Sequence, residues 1–387
     1  MKSYLASRIE QIRPSGIRRF FDLANNMEGI ISLGVGEPDF TTPWSICHAS
    51  IQSIEQGFTS YTEIEGQIEL RKEISSYMSN RFKVSYSPTT EIIVTVGGSQ
   101  ALDSSLRAII NPGDEVMIVE PSYVAYKALV SMAGGNPIPI VTSFEDEFKP
   151  HPEQIKQAIS PRTKAIILCF PNNPTGSLLN QQELEAIAEI IVEHDLLVIT
   201  DEIYAELTYE KDTFYSIASI KGMRDRTILV SGFSKAFAMT GWRLGFICAP
   251  EWLTQPILKV LQHTIISAST ITQYGAIEAL KNGQEYIVEM RNSYRKRRNF
   301  IVKQLNEIGL HCHLPEGAFY VFPSIRQTGQ TSEQFAEKLL IRYKVAVVPG
   351  NAFGDSGEGY IRCSYATSIE KLQVAMERIK KFVGDVK

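Results

Sequence analysis

Cysteine is sparse in this chain: Cys47, Cys169, Cys248, Cys312 and Cys363 are the five among 387 residues. They are odd in number, widely spaced and form no C-x-x-C pair. That argues against a disulfide framework or a zinc site, so no metal is expected, and for a reducing compartment. Long hydrophobic runs are missing too. No segment approaches the ~20 apolar residues of a membrane span. Met1 to Gly16, interrupted by Arg8, Glu10 and Arg13, holds no apolar signal core. These absences predict a cytoplasmic protein with no membrane partner. Positive charge is not in excess: 39 Lys and Arg against 43 Asp and Glu leave a formal charge of −4. No basic field points to nucleic acid. Two phosphate-binding signatures, the G-x-G-x-x-G dinucleotide fingerprint and the P-loop, do not occur.

What is present is an ordinary globular composition, 44% hydrophobic and 21% charged, in a chain long enough for two domains. From about Pro88 to Pro250 short β-rich runs alternate with helical patterns such as Glu183 to His194. The runs are Glu91–Val96, Glu115–Val119, Pro137–Val141, Lys164–Cys169, Leu196–Thr200, Thr227–Val230 and Trp242–Cys248. Near-continuous apolar strands separated by helices predict an α/β fold, a mainly parallel seven-stranded sheet with helices on both faces. The seventh run follows the sixth too closely for a parallel crossover, so it should run antiparallel. After about Asn282 a long basic helix (Glu289 to Leu305) leads into a smaller α+β region. Its strands are expected near Ala318–Phe322, Ala346–Val348 and Tyr360–Ser364. The expected domains are 44–285 for the large unit, and 1–43 with 286–387 for the small one. The basic cluster Tyr294 to Arg298 reads as a solvated helix face rather than a binding patch.

In an open α/β sheet, ligands bind outside the carboxyl ends of the parallel strands. Five such ends carry distinctive residues. Gly97-Gly98-Ser99-Gln100 follows the first strand and opens a helix. Its free N–H groups and positive dipole end suit a phosphate, making Gly98, Ser99 and Gln100 candidate ligands. Tyr123 follows the second strand and is placed to stack on a flat ring. Pro171-Asn172-Asn173-Pro174 follows the fourth and aims an amide at the crevice. Asp201-Glu202-Ile203-Tyr204 follows the fifth, with a carboxylate in poor solvation; Tyr204 shares its face if a helix starts there. Ser231-Gly232-Phe233-Ser234-Lys235 follows the sixth, with Arg243 eight positions on. A lysine whose pKa is depressed by burial or a neighbouring cation is a nucleophile, and an arginine grips a phosphate. Each feature alone is also an ordinary turn, helix cap or packed aromatic. Together they suit one flat, anionic, nitrogen-containing aldehyde, pyridoxal 5'-phosphate.

The segment Ser231 to Gly245 resembles the cofactor-lysine signature of class I/II aminotransferases of fold type I, the aspartate and aromatic aminotransferases among them. Asn172 to Gly176, Asp201 to Tyr204 and Gly357 to Ser364 resemble that family's other signatures, in the same order. The resemblance implies that Lys235 forms the imine with the cofactor and shuttles the substrate proton. It implies that Asp201 pairs with the pyridine nitrogen, that Asn173 and Tyr204 bind the ring oxygen, and that Tyr123 stacks on the ring. Gly98, Ser99 and Arg243 would hold the phosphate. Relatives carry a serine where this chain has Gly232, which leaves Ser231 or Ser234 as the substitute. Arg362 would fork the substrate α-carboxylate, helped by Asn173 and the backbone at Gly36. Ile17, in Ser15 to Phe21, and Tyr123 would line the substrate pocket, with Phe319 and Tyr320 on the other wall and Arg18 or Arg19 near a distal carboxylate. Tyr61 would reach the phosphate of a neighbouring subunit, implying a homodimer with shared sites.

The expected activity is transfer of the amino group of an aromatic or large hydrophobic L-amino acid to a 2-oxo acid such as 2-oxoglutarate. Alternatives are an aspartate or N-acetyl-diaminopimelate aminotransferase and a cysteine-conjugate β-lyase. A non-catalytic regulator of this fold is the remote alternative, since no helix-turn-helix pattern precedes the first strand.

Overall fold

A computed structural model describes residues 4–10, 12, 27–210 and 214–386, the last of them by its backbone alone. The strands in chain order are β1 (Ile31–Ser32), β2 (Ile92–Thr95), β3 (Glu115–Glu120), β4 (Asn136–Val141), β5 (Thr163–Cys169) and β6 (Leu197–Asp201). There follow β7 (Thr227–Gly232), β8 (Gly245–Cys248), β9 (Tyr320–Val321), β10 (Val345–Ala346), β11 (Val348–Pro349) and β12 (Ile361–Ser364). Seven of them form the central sheet, in the order β2-β8-β7-β6-β5-β3-β4. The pairs β3–β4, β3–β5, β5–β6 and β6–β7 are parallel, and β8 is antiparallel to both β7 and β2. The reversed seventh strand is thus as expected from its short connection.

Alternation along the strands divides the core. Ala165, Ile167, Ile199, Ile228, Val230 and Ile247 face one side, where they meet Leu102 and Leu106 of the helix Gly97–Ile109 and Leu253 and Ile257 of the helix Glu251–Gln262. Ile166, Leu168 and Val198 face the other side, against Leu184 and Ile187 of the helix Gln181–Glu193. Both faces are therefore dry, which is why the strands read as continuous apolar runs. Each fully buried aliphatic side chain of this kind stabilises the fold by about 1.5–3 kcal/mol relative to exposure. No helix among the described residues is long and apolar enough to cross a membrane.

A second core gathers Leu33, Met290, Tyr294, Phe319, Phe335, Ile361 and Phe382. Here β1 pairs in parallel with β10, and β11, β12 and β9 form a three-stranded antiparallel sheet. The long helix runs Gln284–Glu307, with Tyr294 and Arg298 buried rather than solvated. The guanidinium of Arg298 donates to the Pro315 carbonyl and lies 4.7 Å from the centre of the Tyr209 ring, so the solvated-face reading fails for this member of the cluster.

Candidate active site

Four successive loops at the carboxyl ends of β3, β5, β6 and β7, with the amino end of the helix Gly97–Ile109, enclose a cavity of about 530 Å³. Gly36, Gly98, Ser99, Tyr123, Asn173, Asp201, Tyr204, Ser234, Lys235, Arg243 and Arg362 all line it. The parallel strands bring residues 123 to 235 to one edge of the sheet, and the loop at Gly34 and Gly36 with Arg362 of β12 closes the cavity from the second core.

The geometry is set by buried polar contacts. Asp201 Oδ2 accepts a 2.8 Å hydrogen bond from the Tyr126 hydroxyl, and Oδ1 a longer one, 3.3 Å, from the Ile203 N–H. Burial pushes the Asp201 carboxyl up, while those two donors and the nearby Lys235 charge oppose the rise. The Lys235 amine donates to the Gly36 carbonyl at 2.6 Å. Burial lowers its pKa to about 8, with Glu37 opposing and Arg362 and Arg243 reinforcing. The Tyr204 and Tyr320 hydroxyls are 2.8 Å apart, and burial holds Tyr204 in its neutral form.

Arg362, only 3% exposed, donates Nη1 to Asn173 Oδ1 at 2.9 Å and Nη2 to the Gly34 carbonyl at 2.6 Å. Its guanidinium lies between the rings of Tyr320 and Phe353, at 4.3 and 4.9 Å from their centres. Its Nε is buried without a partner among the described residues. An orphaned donor on a buried cation calls for an acceptor from outside the chain.

Beside Arg243, Gly97 adopts φ +74°, and a Cβ there would stand 2.9 Å from Arg243 Nη2. Only glycine leaves that cradle open. Arg243 itself sits at φ +53°, uncommon outside glycine, which turns its side chain back toward the helix start. Helix N–H groups, the Ser99 and Ser234 hydroxyls and Arg243 form a donor set for a phosphate. The same lining holds Lys235, Asp201, Tyr204 and Tyr123, which match an aldehyde, a pyridine nitrogen, a phenolic oxygen and a flat ring. The residues fit pyridoxal phosphate.

Some sequence candidates fall elsewhere. Ser231 is not part of the lining; its hydroxyl donates to the Glu202 carbonyl at 3.3 Å, because strand alternation turns it from the cavity while Ser234 in the following turn faces in. Gln100 is also outside the lining: its Oε1 accepts from the Val96 N–H at 2.6 Å and closes the start of the helix. No helix starts at Asp201; residues 203–206 form a turn, and the turn itself carries Tyr204 into the site. Tyr61, expected at the phosphate of a neighbouring subunit, is 81% exposed and is not part of the cavity lining in its own chain. Ile17, Arg18, Arg19 and the rest of Ser15 to Phe21 lie outside the described residues. Sequence reasoning passed over Tyr126 and Cys169, which also line the cavity. Tyr126 follows three residues after Tyr123, in the first turn of the helix Ala125–Met132, and its N–H donates to the Tyr123 carbonyl.

A mostly parallel sheet with a lysine, a buried aspartate and a buried arginine around one anion cradle defines a fold type I aminotransferase. The family model for aminotransferase class I and II matches residues 28–379, and the chain belongs to that family. It is a transaminase, and its cofactor is pyridoxal phosphate. The chain is 59% identical to the putative aminotransferase YugH of Bacillus subtilis, over 99% of each chain. It is 44% identical to an aspartate aminotransferase of Pyrococcus abyssi, again over 99% of each. The crystal structure of an aromatic aminotransferase from Pyrococcus horikoshii superposes with a TM-score of 0.91 at 44% identity, covering 95% of this chain and 99% of that one.

Proposed function

We propose that this transaminase takes an aromatic or large hydrophobic L-amino acid as donor and a 2-oxo acid such as 2-oxoglutarate as acceptor. The observation that carries this reading is the surroundings of Arg362. It is the one cation of the described lining away from Lys235 and the phosphate cradle, and aromatic rings flank it. Tyr123, Ile203 and Tyr320 extend that apolar character along the wall. Relatives named for aspartate and for aromatic substrates match at similar identity, so names do not separate the two. Rates with Tyr, Phe, Leu, Asp and Ala, each with 2-oxoglutarate, test the preference. Aspartate strongly preferred over phenylalanine rejects it.

When bound, pyridoxal phosphate supplies an aldehyde that accepts the amino group and a ring that accepts the electron pair left as Cα–H breaks. The chain's residues do the rest. Arg362 forks the substrate carboxylate through N–H groups that its guanidinium does not spend on Asn173 and Gly34, and so orients the Cα–H bond. Lys235 Nζ, whose pKa burial brings down to about 8, gives up its proton far more readily than an ordinary lysine and in its free-amine form removes the Cα proton as a general base. The Asp201 carboxylate keeps a proton on the ring nitrogen. Asn173 and Tyr204 hydrogen-bond the ring oxygen, and Gly98, Ser99, Ser234 and Arg243 hold the phosphate.

The working unit in this reading is a homodimer. Trp44, Ile51, Ile54, Phe58 and Tyr61 are all exposed by 40% or more, an apolar surface suited to burial against a second copy. Sedimentation of a monomer at micromolar concentration would reject it. The expected division into 44–285 and 1–43 with 286–387 is supported by the parallel pairing of β1 with β10, which ties the amino-terminal segment to the carboxyl-terminal region. Limited proteolysis releasing a fragment that ends well away from positions 43 or 285 would count against those boundaries.

A further inference from the structure

Tyr126 is buried, 1% exposed, on the helix Ala125–Met132, and the roles above leave it unused. Its hydroxyl makes the one side-chain hydrogen bond to Asp201 among the described residues, at 2.8 Å, across 75 residues of sequence. Its ring also meets that of Tyr123 edge to face, with centres 5.5 Å apart and planes at 82°. One side chain therefore braces the carboxylate and the aromatic wall that flank the same space.

The consequence for Asp201 is geometric. A carboxylate has two oxygens and rotates about one bond. With Oδ2 held by Tyr126, Oδ1 keeps, among the described residues, only the 3.3 Å contact to the Ile203 N–H and stays available to an N–H donor in the cavity. We propose that Tyr126 is a positioning residue that locks Oδ2 of Asp201 so that Oδ1 meets the pyridine N–H of the cofactor, while its ring edge sets the plane of Tyr123. This rests on the pairing of Asp201 with the pyridine nitrogen argued above.

The donor also matters to charge. The groups facing this pair are Cys169 from β5, Tyr123 from the loop after β3 and Lys235 from the turn after β7. Lys235 alone among them offers a positive charge, and burial weakens its hold on a proton. Without the Tyr126 hydroxyl, ionised Asp201 loses its best donor in a dry site, which costs more than an ordinary exposed hydrogen bond.

The experiment compares four proteins prepared without cofactor and reloaded with pyridoxal phosphate: the parent, Tyr126→Phe, Asp201→Asn and the double variant. Three readouts are taken: cofactor dissociation constant, pH titration of the bound cofactor's absorbance, and kcat with KM. Tyr126→Phe removes one oxygen, so its melting temperature without cofactor should match the parent's within a few degrees. It should weaken cofactor binding and lower kcat by roughly ten- to hundredfold, leave the amino-acid KM within about twofold, and displace the absorbance titration. In the Asp201→Asn background the same change should add little, since coupled residues are non-additive. Parent-like titration, affinity and kcat in Tyr126→Phe overturn the proposal, and so do losses that multiply in full on Asp201→Asn. If Asp201→Asn itself binds and titrates like the parent, the assignment of Asp201 has failed, and Tyr126 with it.

Discussion

Asp201 and Glu202 are neighbours in the chain, yet their carboxyl groups lie on opposite sides of the sheet. Asp201 lines the active-site cavity beside Tyr126, whereas Glu202 faces Leu168, Leu184 and Ile217 on the other side. The cause is the period of two along an extended chain: Asp201 continues the face of Ile199, and Glu202 that of Val198 and Thr200. The ladder extends to Glu202, whose N–H donates to the Val230 carbonyl. One carboxyl group thus serves the site while the other is a core group held by the Ser216 and Thr200 hydroxyls, at 2.7 and 3.2 Å.

Glu202 should make stability fall as pH rises. Burial pushes its pKa up from 4.5 to about 8, with the Asp201 charge adding to the rise and the two hydroxyls opposing it. Below about 4.5 both folded and unfolded chains hold this proton and its contribution is fully present. Between about 4.5 and about 8 the folded chain keeps a proton that the unfolded chain releases, so stability declines, and it is lost above the folded value. Glu202→Gln removes the titration. Urea midpoints at pH 6, 7, 8 and 9 should show the parent losing ground to the variant by the order of a few kcal/mol. Parallel curves for the two proteins would refute a raised Glu202 pKa.

Attachment of the cofactor should follow the ionisation of Lys235. The free amine is the nucleophile, and burial brings its pKa down from 10.5 to about 8. The rate at which cofactor-free protein takes up pyridoxal phosphate should therefore climb through pH 7 to 9 and level off. An amine with the ordinary value would still be climbing at pH 10. Lys235→Ala should show no borohydride-stable label and no turnover. A label found at another lysine would contradict the assignment.

Arg362→Ala should raise the amino-acid KM about ten- to hundredfold, the scale of a lost charge-assisted hydrogen bond, and lower kcat as well. Both parameters move because carboxylate anchoring also orients the Cα–H bond. Cofactor absorbance should persist, since Arg362 is held by Asn173 and Gly34 and is not part of the Gly97–Arg243 cradle. Steady-state kinetics with phenylalanine give the check; unchanged kcat and KM would place the carboxylate site elsewhere.

Much of the site was readable from the chain because its parts sit at strand ends, and apolar runs announce strands. Lys235, Asp201, Asn173, Tyr123 and Gly98 each follow such a run within a few residues. Side-chain direction was less readable. Ser231 and Ser234 are both serines beside the lysine, and only the register at the end of β7 turns the first away and the second in. Gln100 belongs to a phosphate-like turn by sequence, but the Val96 N–H claims its side chain.

The sequence alone determined the alternating elements, the reversal of the last sheet strand and the types of residue at each strand end, because periodicity and connection length are local properties of the chain. Tertiary structure decided which of those residues meet. The hydrogen bond from Tyr126 to Asp201 and that from Arg362 to Gly34 join positions 75 and 328 residues apart. Such contacts depend on the order in which parallel strands assemble and on the face each side chain takes, and no local pattern encodes either.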